Sequence, residues 1–327
     1  MILVSVIVPC YNEERTIGLL LEAVYRQTFP REQMEVILAD GMSTDKTREE
    51  VGRFQQEHAG LRVCLVDNPK RNIPSGLNRA IEAAQGEYLV RLDAHSVPAE
   101  DYVARCLEAL QAGKGENVGG IWQIRPGAKH WIARSIAVAA AHPMGVGDAL
   151  YRYTSEAAYV DTVPFGAFRR ETFQKVGLFD ETLLTNEDYE LNTRIRKSGG
   201  RVWLDPRIRS AYFARSSLGA LARQYWRYGF WKWRMLRRYP ETLRWRQALP
   251  PVFVLGLAGL LLLSLVWQPA RILLGLILCA YWIVLCLGSL SPAWKRKDAA
   301  LLAGVPLAIA CMHLSWGSGL IFSLLRK

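Results

Sequence analysis

The chain opens on an apolar run, Ile2–Val8, interrupted only by Ser5 and closed by Pro9, and a run of that kind predicts a buried strand. Past Asn12, a residue suited to capping, Ile17, Leu20, Leu21 and Val24 recur at helical spacing. Val36–Ala39 predicts a second strand, closed by Asp40-Gly41, and Ser43 or Thr44 can cap a helix running to residue 57. Leu61–Val66 predicts a third strand, from which a loop with Pro69 and Pro74 leads into a helix over 75–85. Glu87–Leu92 gives a fourth strand, then an acidic turn and a helix over 98–112, and Val118–Ile124 gives a fifth strand. Short strands alternating with helices predict an α/β domain whose mostly parallel sheet is covered on both faces. Such sheets bind ligands at the carboxyl ends of their strands.

The pattern changes near residue 213. Residues 216–240, SSLGALARQYWRYGFWKWRMLRRYP, interleave Arg and Lys with Trp, Tyr and Phe on a helix expected to end near Pro240. Residues 250–267, 272–290 and 299–325 are then free of charge. Each run reaches the ~18 residues that cross a hydrocarbon core of about 30 Å. Three spans are expected; the alternative is a re-entrant hairpin over 250–290 followed by one true span. Interleaved aromatics and arginines can stack on single-stranded nucleic acid, but the adjoining spans favour a helix lying among lipid headgroups. The division is a domain over 1–212, a basic aromatic segment over 213–249 and a membrane anchor over 250–327.

Charge sharpens this picture. The net charge of +11 suggests nucleic acid until it is located: residues 1–212 carry 26 Lys and Arg against 28 Asp and Glu, and the excess lies in the last third. Basic residues before the first run and at Lys295, Arg296 and Lys297 put residues 1–249 on the cytoplasmic side and the C-terminus outside. The opening segment lacks a basic start and its apolar run is short for a secretory signal, so it is expected to be a strand. The 6 cysteines include no CxxC pair, which excludes a disulfide scaffold or zinc ribbon.

The chemistry at the strand ends is acidic. Asp40 and Asp45 follow the second strand, and Asp93 and His95 follow the fourth. Neither GxGxxG nor GxxxxGK[ST] occurs, so a bound diphosphate needs a divalent cation, which takes one or two protein ligands besides phosphate oxygens. Asp93-Ala94-His95 suits that role, although a turn with a capping Asp reads the same way. Asn186-Glu187-Asp188 opens a helix that stops at Gly199-Gly200; its carboxylates either complement the helix dipole or do chemistry. His313, inside the third apolar run, is ionisable at membrane depth, and a neutral ring bonded to a neighbouring helix is the preferred account. His142, before Pro143, suits a turn or an acceptor contact equally.

Taken together, VSVIVPCYNEERTI, ADGMSTDKT, RLDAHS, NEDYELNTRIRKSGG and QYWRY resemble, in order and spacing, the motifs of the family 2 inverting glycosyltransferases, which have the GT-A fold. The resemblance covers about residues 3–230. The D-A-H variant and the apolar runs look most like the bacterial exopolysaccharide branch, the succinoglycan-type membrane glucosyltransferases. That implies transfer of glucose from UDP-glucose to a polyprenyl-diphosphate-linked oligosaccharide. It implies further that Pro9, Tyr11 and Glu13 line the uridine pocket, that Asp40 accepts a hydrogen bond from uracil, and that Arg71, Gly76 and Asn78 close over the base. The chain reads D-G-M-S where the family often reads D-D-G-S. Asp93 would contact ribose or metal, and His95 would replace the second carboxylate of the usual D-x-D. Imidazole suits Mn²⁺ better than Mg²⁺, so Mn²⁺ is the expected preference; a phosphate-contacting turn histidine is the other reading.

Inverting transfer needs a base for the acceptor hydroxyl, and the resemblance implies Asp188, with Glu187 beside it on the acceptor side. Phe165–Arg170 resembles the acceptor-side loop, with Gly166 allowing close approach, or is an ordinary turn. Gln224, Arg227 and Tyr228 match Q-x-x-R-W with Tyr for Trp, which implies Gln224 near acceptor and Arg227 near the leaving diphosphate. The expected partners are a UDP-hexose, a lipid-linked acceptor and lipids of a bacterial cytoplasmic membrane, with other polysaccharide-assembly proteins among the candidates and no nucleic acid. Direct transfer to polyprenyl phosphate is one alternative. A noncatalytic scaffold is another, disfavoured by the intact Asp40, Asp93 and Asp188.

Overall fold

The computed structural model describes residues 1–326. The first apolar run forms β1 (Val4–Cys10), followed by α1 (Ile17–Tyr25), β2 (Met34–Asp40), α2 (Thr47–Glu57), β3 (Arg62–Asp67), α3 (Ile73–Ala83) and β4 (Tyr88–Arg91). After a two-residue β5 (Val97–Pro98) come α4 (Tyr102–Gln111) and β6 (Asn117–Arg125). Two helices, α5 (Trp131–Ala139) and α6 (Pro143–Val146), precede β7 (Ala158–Tyr159) and β8 (Ala167–Arg169). Then come α7 (Arg170–Val176), α8 (Glu187–Lys197) and β9 (Val202–Phe213).

The strands form one sheet in the order β3-β2-β1-β4-β8-β6-β9-β5, with β7 also on β9. The first four are mutually parallel, while β8 is antiparallel to both β4 and β6, and β5 and β7 are antiparallel to β9. The sheet is therefore mixed, parallel across β3-β2-β1-β4 and with antiparallel pairings beyond β4. Alternation along the strands divides the core. Val4, Val6 and Val8 of β1 pack with Leu20, Leu21, Phe54 and Val103 from α1, α2 and α4. Ile7 points the other way, among Leu77 of α3, Phe173 of α7 and Leu191 of α8. Both faces are covered, as parallel strands require.

The chain divides into two units: Met1–Gln123 with Tyr153–Tyr212, and Ile124–Arg152 with Phe213–Lys327. The expected continuous domain over 1–212 is thus interrupted, because α5 and α6 pack with the C-terminal helices. Those helices are α9 (Leu218–Leu236), α10 (Trp245–Ser264), α11 (Gln268–Arg296) and α12 (Leu301–Leu325), and the last three are long and apolar enough to cross a membrane. Within this unit α9 lies against α12 at two glycines: a Cβ on Gly229 would strike the Trp316 carbonyl, and one on Gly319 the Trp226 carbonyl. Small residues at such a crossing let backbones approach. Ser135 of α5 lies against Gly304, and Arg134 Nε donates to Asp298 Oδ2 at 2.8 Å. His313 Nε2 donates to the Met144 carbonyl at 2.8 Å and Nδ1 lies 3.0 Å from the Tyr281 hydroxyl, the arrangement of a neutral ring tying α12 to α11. His142 caps α6, its Nδ1 accepting from Met144 N–H at 3.2 Å, and burial holds its pKa below the usual range.

Candidate active site

β1, β2 and β3 end in register, Cys10 beside Asp40 and Asp40 beside Asp67, so their carboxyl ends form one ledge. Asp40 is fully buried there. It accepts from Ser43 N–H at 3.0 Å, from Ser43 Oγ at 2.5 Å and from Arg48 Nε at 2.6 Å. Arg48 also reaches Asp67 Oδ1 at 2.6 Å, bridging two strand ends. Cys10 Sγ lies 3.8 Å from Asp40 Oδ1, and burial, followed by the charges of Asp40 and Glu13, pushes its thiol up to about 12.

Two loops above this ledge are laced together. Asn12, with φ 55°, accepts from Thr44 N–H at 2.9 Å and gives its own N–H to Ser43 Oγ at 2.9 Å. Glu13 N–H donates to Thr47 Oγ1 at 2.7 Å. Pro9 lies within β1, and the half-exposed Tyr11 ring lies over Gly41. Arg71 is exposed just past β3 with φ 53°. Asn78 differs from expectation. Its amide is buried, accepts from Phe179 N–H at 2.9 Å, and donates to Phe179 O at 2.9 Å and Glu181 Oε1 at 3.1 Å. It clasps the loop before α8 instead of facing a base.

The acidic centre is organised by a residue that sequence reading passed over. Arg91, the last residue of β4, is 2% exposed. Its Nη2 donates to Asp93 Oδ1 at 3.2 Å and to Glu187 Oε1 at 3.1 Å, and its Nη1 pairs with Asp188 Oδ1. One guanidinium thus joins the end of β4 to the first turn of α8, where the helix N-terminus also favours carboxylates. Glu187 is buried, while Asp93 and Asp188 keep about a quarter of their side chains exposed. His95 is half exposed, with Nδ1 3.1 Å from Glu13 Oε1. Asp93 engages Arg91 through Oδ1 alone among these contacts, and Asp93 with His95 offers the two ligands a hard cation needs when phosphates supply the rest. No cluster of three candidate metal-ligating side chains occurs among the described residues.

Phe165–Arg170, expected to be a loop or turn, enters the sheet as β8 from Ala167. Gly166, with φ 101°, stands at its start and accepts from Arg91 N–H at 2.9 Å, and a Cβ there would meet Asn117 Oδ1 at 2.5 Å. Gln224 and Arg227 lie on α9 in the other unit; Gln224 Nε2 donates to the Tyr228 hydroxyl at 2.9 Å, and Arg227 is exposed. A signal for Arg91 was available: a charge ending the buried run Tyr-Leu-Val-Arg requires a buried counter-charge.

The family model for glycosyl transferase family 2 matches residues 5–177. The chain belongs to glycosyl transferase family 2. This family member is 30% identical over 320 residues to the succinoglycan biosynthesis protein ExoA of Rhizobium meliloti, across 96% of this chain and 92% of that one. It is 27% identical over 322 residues to the dolichyl N-acetyl-alpha-D-glucosaminyl phosphate 3-beta-D-2,3-diacetamido-2,3-dideoxy-beta-D-glucuronosyltransferase of Methanococcus voltae, across 96% and 95% of the two chains. Among solved structures, the mannosyltransferase PcManGT from Pyrobaculum calidifontis, in complex with GDP-Man and Mn²⁺, superposes with a TM-score of 0.65. It is 22% identical and the match covers 94% of this chain and 86% of that one. The glycosyltransferase therefore has a GT-A-like fold followed by apolar helices suited to a membrane.

Proposed function

We propose that this glycosyltransferase moves a hexose, with UDP-glucose the expected donor, to a lipid-linked oligosaccharide in exopolysaccharide biosynthesis, with inversion at the anomeric carbon. The observation that carries the reading is the gathering of Asp93, Glu187 and Asp188 around Arg91 at the strand ends of a family 2 domain. Asp188 is the base: its carboxylate takes the acceptor hydroxyl proton as that oxygen attacks the anomeric carbon and the nucleoside diphosphate departs from the opposite face. Arg91 holds that carboxylate in place and Glu187 borders the acceptor side. Pro9, Tyr11, Glu13, Asp40 and Arg71 bind the nucleoside.

Asp93 and His95 would hold a divalent cation, Mn²⁺ or Mg²⁺, which when bound neutralises charge on the departing diphosphate. The Mn²⁺ carried by the similarly folded PcManGT supports this assignment. The names of both relatives, one in succinoglycan biosynthesis and one acting on a dolichyl-linked sugar, support a lipid-linked acceptor. The basic residues before α10 and after α11 support a cytoplasmic catalytic unit at a bacterial inner membrane.

The test incubates purified full-length protein with a panel of UDP- and GDP-sugars, Mn²⁺ or Mg²⁺, and either diphosphate-linked oligosaccharide or bare polyprenyl phosphate. One donor should release nucleotide with the oligosaccharide lipid. Asp188→Asn should lower transfer by about 100-fold or more while leaving donor affinity unchanged. Transfer retained by Asp188→Asn rejects the base, and transfer to polyprenyl phosphate alone rejects the acceptor.

A further inference from the structure

The ledge formed by β1, β2 and β3 holds a carboxylate that has nothing left to offer a base. Asp40 is fully buried, and a carboxylate has about four sites at which to accept hydrogen bonds. Four donors already stand there: Ser43 Oγ and Cys10 Sγ on Oδ1, and Ser43 N–H and Arg48 Nε on Oδ2. The next position supplies no replacement. Gly41 lacks a side chain, and a Cβ on it would stand 3.1 Å from Cδ2 of the Tyr11 ring.

Open groups remain on Arg48 and Asp67. Asp67 ends β3 directly beside Asp40, yet 55% of its side chain is exposed. Its Oδ1 accepts from Arg48 Nη2 at 2.6 Å, and its Oδ2 has no partner among the described residues. Arg48, in the first turn of α2, is held from three sides: by Asp40 at Nε, by Asp67 at Nη2, and by Met42, whose Sδ lies 3.8 Å from Nη2. Its Nη1 has no partner among the described residues. One ion pair at the strand ends thus presents an open acceptor and an open donor, anchored from beneath by the buried Asp40.

We propose that the Arg48–Asp67 pair, and not Asp40, reads the base of the donor nucleotide. Asp67 Oδ2 accepts from a ring N–H, and Arg48 Nη1 donates to the neighbouring ring carbonyl. Asp40 serves nucleoside binding indirectly, by fixing Arg48. On the nucleotide-sugar reading above, on which this rests, the pair decides which bases are admitted. Uracil carries the matching edge at N3–H and O4, and guanine carries it at N1–H and O6. Cytosine and adenine invert that edge, setting a lone pair against the carboxylate and an amino group against the guanidinium. Those bases lose two hydrogen bonds and meet repulsion in their place, which is how a charged pair rejects a wrong ligand.

The test measures, by titration calorimetry with Mn²⁺, the affinities of UDP, CDP, GDP and ADP for the full-length protein in detergent and for Asp67→Ala and Asp67→Asn. The unaltered chain should bind UDP over CDP, or GDP over ADP, by about tenfold or more. Asp67→Ala should shrink that ratio to about threefold or less. Asp67→Asn keeps the shape of the side chain and should shrink the ratio in the same direction, which separates loss of the carboxylate from loss of the fold. A ratio retained by both variants, or no discrimination by the unaltered chain, overturns the proposal. Preference for GDP over UDP rejects the uridine donor of the functional reading and leaves the base-reading pair standing, whereas binding of none of the four overturns both.

Discussion

At the scale of single residues, Arg91 and Arg48 look alike on paper, each an arginine bridging carboxylates, but burial separates them. Arg48 keeps 38% of its side chain exposed, and its buried partner Asp40 retains the two Ser43 donors, so losing its pairs should cost about 1–2 kcal/mol. Arg91 is enclosed, and its removal would leave Glu187 buried without its counter-charge, at a cost of about 3–5 kcal/mol. Arg91→Met should lower the melting temperature by on the order of 10 °C, against a few degrees at most for Arg48→Met. Turnover should fall by about 100-fold in Arg91→Met as Asp188 loses its anchor, with donor KM little changed, and Arg91→Lys should fall between. Equal melting temperatures for the two Met variants would refute this ranking. Cys10 makes a pH-dependent counterpart. Its thiol, pushed up to about 12 from an ordinary value near 9, stays protonated in the folded chain when the unfolded chain has lost its proton. Stability should therefore be indifferent to this group below about pH 8 and decline as pH rises past 9, and Cys10→Ala should flatten that decline in melting curves.

At the scale of elements, the crossing of α9 on α12 and the bare faces of α10 and α11 make a controlled comparison. Gly229→Leu or Gly319→Leu drives a side chain into a facing backbone carbonyl and should cost about 2–3 kcal/mol, whereas Gly256→Leu and Gly275→Leu meet nothing within 4 Å and should be neutral. Thermal unfolding in detergent distinguishes the pairs, and a neutral Gly319→Leu would mean the helices are not in contact. Elements differed in how well the sequence announced them. β1 to β4 and the helices between them were legible because strands buried on both faces must be continuously apolar. β8 was not: it is three residues long, held by a partner on each side, and its Arg169, followed directly by Arg170 of α7, reads as loop. β9 was missed because Asp205, Pro206, Arg207 and Arg209 interrupt its apolar positions near one end of the sheet order. The candidate site divided along the same line. Asp93, Glu187 and Asp188 were legible as carboxylates at element ends, but the buried cation that joins them depends on β4 lying beside α8, a tertiary fact. Asn78, placed near the base by the resemblance alone, shows the converse, since only packing reveals that Phe179 and Glu181 take its amide.

At the scale of the whole molecule, the two units are not two consecutive pieces of chain. Ile124–Arg152 leaves the sheet unit and joins the helical one, and its α5 buries Ala133, Ile136 and Ala137 there. A chain truncated after Tyr212 would keep the strands yet strip α5 of its partners, so it should aggregate on size exclusion while the full-length protein in detergent does not. A monodisperse 1–212 fragment would contradict that expectation. The same discontinuity sets a clock during synthesis. α6 ends at Val146 and α12 begins at Leu301, so at about 5–20 residues per second the ribosome takes about 8–30 s to deliver the helix that covers α5. Throughout that interval an apolar helix hangs from a nascent domain with its intended partner not yet made, and the chain depends on a chaperone or the membrane surface to occupy α5 until α12 emerges.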